Sequence, residues 1–340
     1  MSKLFFDLPI PQQAALIRQA EYQLGLSEMV IEKDLWVCWL LEKVFALDIP
    51  MSFKGGTSLS KAYGLIKRFS EDVDITIDYR HFNPDLDLKN TSRSQIKKIS
   101  ENLKQKLQEY IQSSLLPYLK KQVQENFPSQ SIEIILSEDG EQVRFYYPTV
   151  LNNLTGYLRD HVLLEFGIRN SVEPSNLCPI TPYLAHTDEL SKILPVSKIN
   201  TLSPIRTFWE KATLIHVECH RERFTQSPER LSRHWYDLYL LNLSWVGPTA
   251  LDQLEILYSV LDYKKLFFNA SYAHYDLCLI GKFKLIPNSA EGINSLEKDY
   301  KKMVDAGMFQ DEPTPFATIL EALKNLEEKI NLLNFSDSNC

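Results

Sequence analysis

The chain has 340 residues, 44% hydrophobic and 24% charged, ordinary values for a folded protein long enough for one large domain or two moderate ones. A formal net charge of −7 excludes a protein that coats nucleic acid by charge alone, so any nucleic-acid contact must be local. No apolar run approaches the roughly 18 residues of a membrane span, no export-signal pattern opens the chain, and the five cysteines (38, 178, 219, 278 and 340) form no CxxC pair, which predicts a cytoplasmic protein with neither disulfide frame nor thiolate zinc site.

In chain order, residues 28–47 carry apolar side chains at 29, 36, 40, 44 and 47 behind Ser27, an N-cap residue type, and predict an amphipathic helix. Residues 49–54 predict a short strand stopped by Gly55-Gly56; Thr57 to Lys67 predicts a helix, and Val73 to Ile77 a strand. Between about 84 and 125 the pattern is long, charged and helical, with Ile96, Ile99, Leu103, Leu107 and Ile111 on one stripe, and reads as a helical insertion. SIEIILS and QVRFYYP flank a turn at Glu138-Asp139-Gly140-Glu141 and predict a hairpin. HVLLEFGI, 161–168, is a nearly continuous apolar run interrupted by Glu165 and reads as a strand. From Ser203-Pro204 onward the pattern is helical, through TFWEKATLIHVECH, RHWYDLYLLNL and a last amphipathic helix over 315–333. The predicted organisation is a mixed α/β domain over 1–200 and a helical domain over 201–340.

The unit strand, glycine turn, helix, strand carries the chemistry. Side chains on a strand alternate faces, so Asp72 and Asp74 project together, about 7 Å apart. Two carboxylates at that spacing suit hard divalent cations bridging phosphate oxygens. Gly55 and Gly56 allow close backbone approach to a phosphate, the following helix start offers free N–H groups, and Thr57 and Ser58 add hydroxyls. An unpaired buried carboxylate is costly, so Glu165 needs a partner: beside the Asp72 strand it would be a third metal acid, at an exposed edge it would pair with Arg169.

These residues resemble the polymerase-β-like nucleotidyltransferase superfamily, whose signature is a glycine pair after an apolar residue, a helix, and an alternating acid pair. Here Lys54 occupies the position before the glycines, and the gap from Gly56 to Asp72 is slightly long. GGTSLSKAYGLIKRFSEDVDI is similar to the first motif of the AbiEii/AbiGii toxin family, which includes MenT nucleotidyltransferases. IEKDLWV (31–37), VLLEFGIRNSVEP (162–174), SPIRTFWEKATLIH (203–216), RHWYDLYLL (233–241) and LEKDYKKMVDAGMF (296–309) agree in the same order.

The resemblance implies a polymerase-β-like core followed by a helical domain, with the active site in the cleft between them. It implies transfer of a nucleoside monophosphate from an NTP to an acceptor, a tRNA 3′ end foremost, by the toxin of a toxin–antitoxin or phage-defence pair with a cognate antitoxin. Asp72 and Asp74 would bind two Mg²⁺ ions, Glu165 would complete the site or help activate the attacking hydroxyl, and Gly55, Gly56, Thr57 and Ser58 would cradle the triphosphate. In the EKAT-type motif Lys211 would neutralise phosphate charge; in the RHxYDL motif Asp237 would orient nucleotide or acceptor. Arg230, Arg233 and Asp237 are spaced i, i+3, i+7 and would share a helix face, Arg233 contacting nucleotide. The alternative there is a salt-bridged helix pair with Glu210 and Glu229 as counter-charges. Protein modification by the same chemistry, and a binding module without turnover, stay open as alternatives. His216 and His220 lack a second ligand pair for zinc. The basic stretch 89–106 could contact RNA or simply face solvent, and the aromatics of TFW and RHWYDLY read as core.

Overall fold

The computed structural model describes residues 3–86, 88, 91–151, 159–186, 194, 196–221 and 230–335. The chain divides into two compact units, Met1–Leu202 and Ser203–Cys340.

The first unit runs α1 (Lys3–Phe6), α2 (Ile10–Leu24), α3 (Glu28–Val44), β1 (Met51–Lys54), α4 (Gly55–Lys61), β2 (Asp72–Ile77), α5 (Arg93–Tyr110), a π-turn over Ile111–Leu115, α6 (Leu116–Asn126), β3 (Glu133–Leu136), β4 (Gln142–Tyr146), β5 (Val162–Gly167), β6 (Ser175–Ile180) and β7 (Ser197–Leu202). The strands form one seven-stranded sheet in the order β3-β4-β5-β2-β1-β7-β6. At its middle β2 runs antiparallel to β1 and parallel to β5. Two antiparallel hairpins, β3–β4 and β6–β7, extend the sheet on either side.

The register explains why apolar and acidic residues alternate so sharply on β2. Val73 pairs with Leu164 and Ile75 with Phe166, so these side chains bury one face of the central strands, while Asp74 pairs with Glu165 on the other face. The predicted strands at 49–54, 73–77 and 161–168 and the hairpin are all present. β6 and β7 are additions. β6, SNLCPI, holds Pro179 and an irregular burial pattern, which a sheet edge tolerates and sequence periodicity does not display.

Two helices differ from expectation. α4 stops at Lys61 instead of Lys67, where the chain turns through Gly64 at φ +62°. α3 begins on its Ser27 cap, whose Oγ accepts from Val30 N at 3.4 Å, yet it is buried nearly all round rather than amphipathic. Its three consecutive charged residues, Glu32, Lys33 and Asp34, are 3%, 1% and 1% exposed. Each has a partner: Val150 N and Thr149 Oγ1 donate to Glu32 at 2.7 and 2.8 Å, Lys33 meets Glu71 at 2.5 Å, and Lys61 meets Asp34 at 2.7 Å. Those pairings let a charged triplet occupy the core, since an unpaired charge there would be strongly disfavoured. The helical insertion is α5, the π-turn and α6, with Leu103, Leu107 and Ile111 fully buried on one stripe.

The second unit holds α7 (Pro204–Cys219), α8 (Arg233–Leu243), α9 (Val246–Asp252), α10 (Leu254–Phe267), α11 (Ala290–Asp305) and α12 (Phe316–Asn331), and no strand among its described residues. Ser203 caps α7 by accepting from Ile205 N at 3.3 Å, with Pro204 in the first turn. Trp209 and Trp235 are wholly buried, their indole N–H groups donating to Ala250 O and Leu285 O at 3.2 and 2.9 Å. The aromatic-rich stretches thus form core. No helix among the described residues is long and apolar enough to cross a membrane.

Candidate active site

The acid pair stands at the start of β2. Asp72 is 4% exposed and Asp74 is half-buried, two strand positions apart and therefore on the same face. Glu165 of β5 is the direct neighbour of Asp74, so Asp72, Asp74 and Glu165 share one face of two adjacent central strands. Lys54, the last residue of β1, stands opposite Asp74 on the other side.

Gly55 is required by geometry. Its φ is +77°, and a Cβ there would lie 2.0 Å from Asp74 Oδ2 and 2.8 Å from Asp74 Cγ. The backbone therefore presses directly on the carboxylate, which no other residue type would permit. At Gly56 the corresponding space holds Arg68 Nη2 and Ser70 Oγ, 2.7 and 2.8 Å from an added Cβ.

The two hydroxyls of the turn serve the backbone. Thr57 Oγ1 donates to Ser70 O at 3.1 Å and to Asp72 O, tying the start of α4 to the start of β2. Ser58 Oγ donates to Gly55 O at 2.9 Å. Both residues are buried. Their contribution to the site is thus to fix the glycine turn against the acids.

Asp72 and Glu165 also carry polar neighbours. Arg159 Nη1 donates to Asp72 Oδ1 at 3.0 Å, and Gln142 Nε2 donates to Glu165 Oε1 at 2.7 Å. Behind them, Glu71 Oε2 accepts from Lys33 Nζ at 2.5 Å and from Arg159 N at 3.0 Å, while Lys33 Nζ also donates to Arg159 O at 2.8 Å. Sequence reading missed Lys33, Glu71, Gln142 and Arg159. The available signal was the charged triplet inside the otherwise apolar IEKDLWV stretch, a pattern that demands buried partners.

For a divalent cation the donors are of the right kind: oxygen only, carboxylate-rich, and assembled on rigid strands. Among the described residues, no group of three or more metal-ligating side chains is drawn tightly together. The arrangement is an open acid cluster, with Asp74 set against the glycine turn and Asp72 held by a guanidinium.

In the second unit Lys211 of α7 and Asp237 of α8 form a buried pair, Nζ to Oδ2 2.8 Å, with side chains 8% and 0% exposed. His234 Nδ1 lies 3.4 Å from the same Nζ. Arg233 is the first residue of α8, but Arg230 precedes the helix with φ +61°, so these two arginines and Asp237 do not share one helix face as the spacing predicts. Asp299 of α11 secures this entry, accepting from Arg230 N and Ser232 N at 2.8 Å each and from Ser232 Oγ at 2.6 Å. Arg206 is buried, paired with Glu210 at 3.3 Å and donating to Ser259 Oγ at 3.0 Å. Glu229 lies outside the described residues, as do 222–228. His216 has both ring nitrogens committed, Nδ1 accepting from Lys284 N at 3.0 Å and Nε2 donating to His274 O at 3.1 Å, which leaves no nitrogen for zinc. Burial, then the neighbouring His220, pushes its pKa down to about 3.

The central mixed sheet with its flanking helices is a nucleotidyltransferase fold, shared with MenT4, a nucleotidyltransferase toxin from Mycobacterium tuberculosis. That structure superposes with a TM-score of 0.51 at 15% identity, covering 94% of this chain and 90% of the other. The family described as "Nucleotidyl transferase AbiEii toxin, Type IV TA system" matches residues 39–322, and the chain belongs to this family of nucleotidyltransferase toxins. An NTP substrate and an antitoxin partner follow from that membership. No curated protein matches the chain in sequence.

Proposed function

We propose that the protein transfers a nucleoside monophosphate from a Mg²⁺-bound NTP to the 3′-terminal hydroxyl of tRNA, in the cytoplasm, as the growth-arresting toxin of its pair. The observation that carries this reading is Asp74: it is registered against Glu165, lies two positions from Asp72, and has the Gly55 backbone packed on its carboxylate. An acid cluster beside a glycine turn suits the charge and shape of a metal-bound triphosphate.

When bound, the metal ions would neutralise charge developing on the transferred phosphoryl group. Asp72 and Asp74 would hold them, with Glu165 accepting the proton of the attacking hydroxyl or completing the ligand set. The acceptor oxygen forms a bond to the α-phosphorus, the bond from that phosphorus to the bridging oxygen breaks, and pyrophosphate leaves. The backbone of Gly55 and Gly56 would approach the triphosphate, held there by Thr57 and Ser58. Lys211 would balance phosphate charge, Asp237 would hold that lysine and orient nucleotide or acceptor, and Arg233 would contact nucleotide.

The test is incubation with each α-labelled NTP, Mg²⁺ and either intact tRNA or tRNA whose terminal diol has been oxidised with periodate. Label on intact tRNA only supports the proposal. Label on oxidised tRNA refutes the 3′-end assignment, and label on lysate protein instead of RNA refutes the acceptor class.

A further inference from the structure

The Asp72 carboxylate already has a cation. Arg159 Nη1 lies 3.0 Å from Oδ1, and the two side chains differ in accessibility: Arg159 is 35% exposed, Asp72 5%. The backbone of Arg159 is fixed independently of its guanidinium. Its N–H donates to Glu71 Oε2 at 3.0 Å and its carbonyl accepts from Lys33 Nζ at 2.8 Å, while Lys33 and Glu71 grip each other at 2.5 Å with side chains 1% and 2% exposed. A buried ion pair thus clamps both polar backbone groups of one residue and leaves its charged end to bend over the acid cluster.

Three neighbouring carboxylates, Asp72, Asp74 and Glu165, repel one another when no cation is present. A guanidinium on Asp72 relieves part of that repulsion. A divalent cation arriving at the same oxygen would meet the guanidinium's charge a few ångströms away. The Arg159 side chain is 35% exposed against 5% for Asp72, so the guanidinium can swing away without disturbing its clamped backbone.

We infer that Arg159 is a resident counter-cation for Asp72, a positioning residue that holds the acid cluster in its metal-free form and is displaced when a divalent cation binds. This rests on the proposed metal-binding role of Asp72 and Asp74. It assigns to the Lys33–Glu71 pair the task of keeping the guanidinium within reach, so the α3 stretch IEKDLWV acts on the site through residue 159.

The test is calorimetric titration of the full chain with Mn²⁺, without nucleotide, in wild type, Arg159→Gln, Arg159→Lys and Asp74→Asn. Arg159→Gln is expected to bind Mn²⁺ about tenfold more tightly, the scale of removing one unit charge roughly 6 Å from a divalent ion at a water-like dielectric. Its metal-free melting temperature should fall, and added Mn²⁺ should restore more of it than in wild type. Arg159→Lys, which keeps the charge, should stay near the wild-type affinity. Unchanged or weaker binding in Arg159→Gln, with binding abolished in Asp74→Asn, overturns the displacement and leaves the metal site standing. Binding that survives Asp74→Asn overturns the metal assignment, and this inference with it.

Discussion

Replacing Gly55 by alanine tests how the glycine turn and the acids depend on each other. An added Cβ would lie 2.0 Å from Asp74 Oδ2, and real contacts of this kind stay beyond 3.0 Å, so the carboxylate must retreat by at least about 1 Å. Alanine at φ +77° also costs about 1 kcal/mol in backbone conformation. Gly64 provides the matched control: its φ is +62°, and an added Cβ meets nothing within 4 Å. Gly64→Ala should therefore lower the urea unfolding free energy by about 1 kcal/mol, and Gly55→Ala by more, because the clash adds to the backbone cost. Only Gly55→Ala should also lower kcat/KM for nucleotide transfer, by about 100-fold, the scale expected of a group displaced by an ångström. The assay is steady-state incorporation of labelled nucleotide alongside urea titration of each variant. Equal activity in the two alanine variants would refute the idea that the Gly55 backbone sets the position of Asp74.

The Lys211–Asp237 pair gives a second prediction. Lys211→Met removes the cation paired with a fully buried carboxylate and should cost about 3–5 kcal/mol in urea unfolding, whereas Lys211→Met/Asp237→Leu should recover most of that loss without recovering transfer. Recovery of transfer in the double variant would show the pair to be purely structural. His216 predicts a pH dependence. Its folded pKa, lowered to about 3, lies below the unfolded value near 6.5, so the unfolded state binds the extra proton. Its contribution is whole above about pH 6.5 and is lost as pH falls toward 3, with a slope of at most about 1.4 kcal/mol per pH unit. Urea titrations between pH 7 and 4.5 should show a shallower decline in His216→Phe than in wild type; identical slopes would contradict the assignment. The Lys33–Glu71 clamp should behave like other buried pairs, with Lys33→Met lowering the unfolding free energy by about 3–5 kcal/mol and Lys33→Met/Glu71→Met by distinctly less.

The parts of the fold legible in the sequence are those whose signal is local. The glycine pair, the alternating acids of β2 and the nearly continuous apolar run of β5 each declare a conformation within a few residues. That Glu165 stands beside Asp74 could be stated only as a condition, because strand register is a long-range property, and the structure meets it. β6 escaped because an edge strand can carry a proline and exposed positions without losing its place. Arg230 was misplaced because i, i+3 spacing assumes a continuous helix, whereas its left-handed φ and the bonds from the following turn to Asp299 begin α8 only at Arg233. Thr57 and Ser58 were read for their hydroxyls, but those hydroxyls bond backbone carbonyls, which spacing alone does not reveal. Arg159 and Lys33 were invisible as site residues because they lie 87 and 39 positions from Asp72, and only tertiary packing brings them to it.

The most direct measurement of the central claim is nucleotide transfer by wild type and by Asp72→Asn/Asp74→Asn, which removes the two charges while keeping side-chain shape. Each purified protein would be incubated with α-labelled NTP, Mg²⁺ and total tRNA and resolved on a denaturing gel, with circular dichroism confirming that the variant is folded. The account predicts label on tRNA with wild type and none with the folded variant. Undiminished labelling by the variant would contradict the assignment of the acid pair, and absence of label on RNA with wild type for every NTP would contradict tRNA as the acceptor.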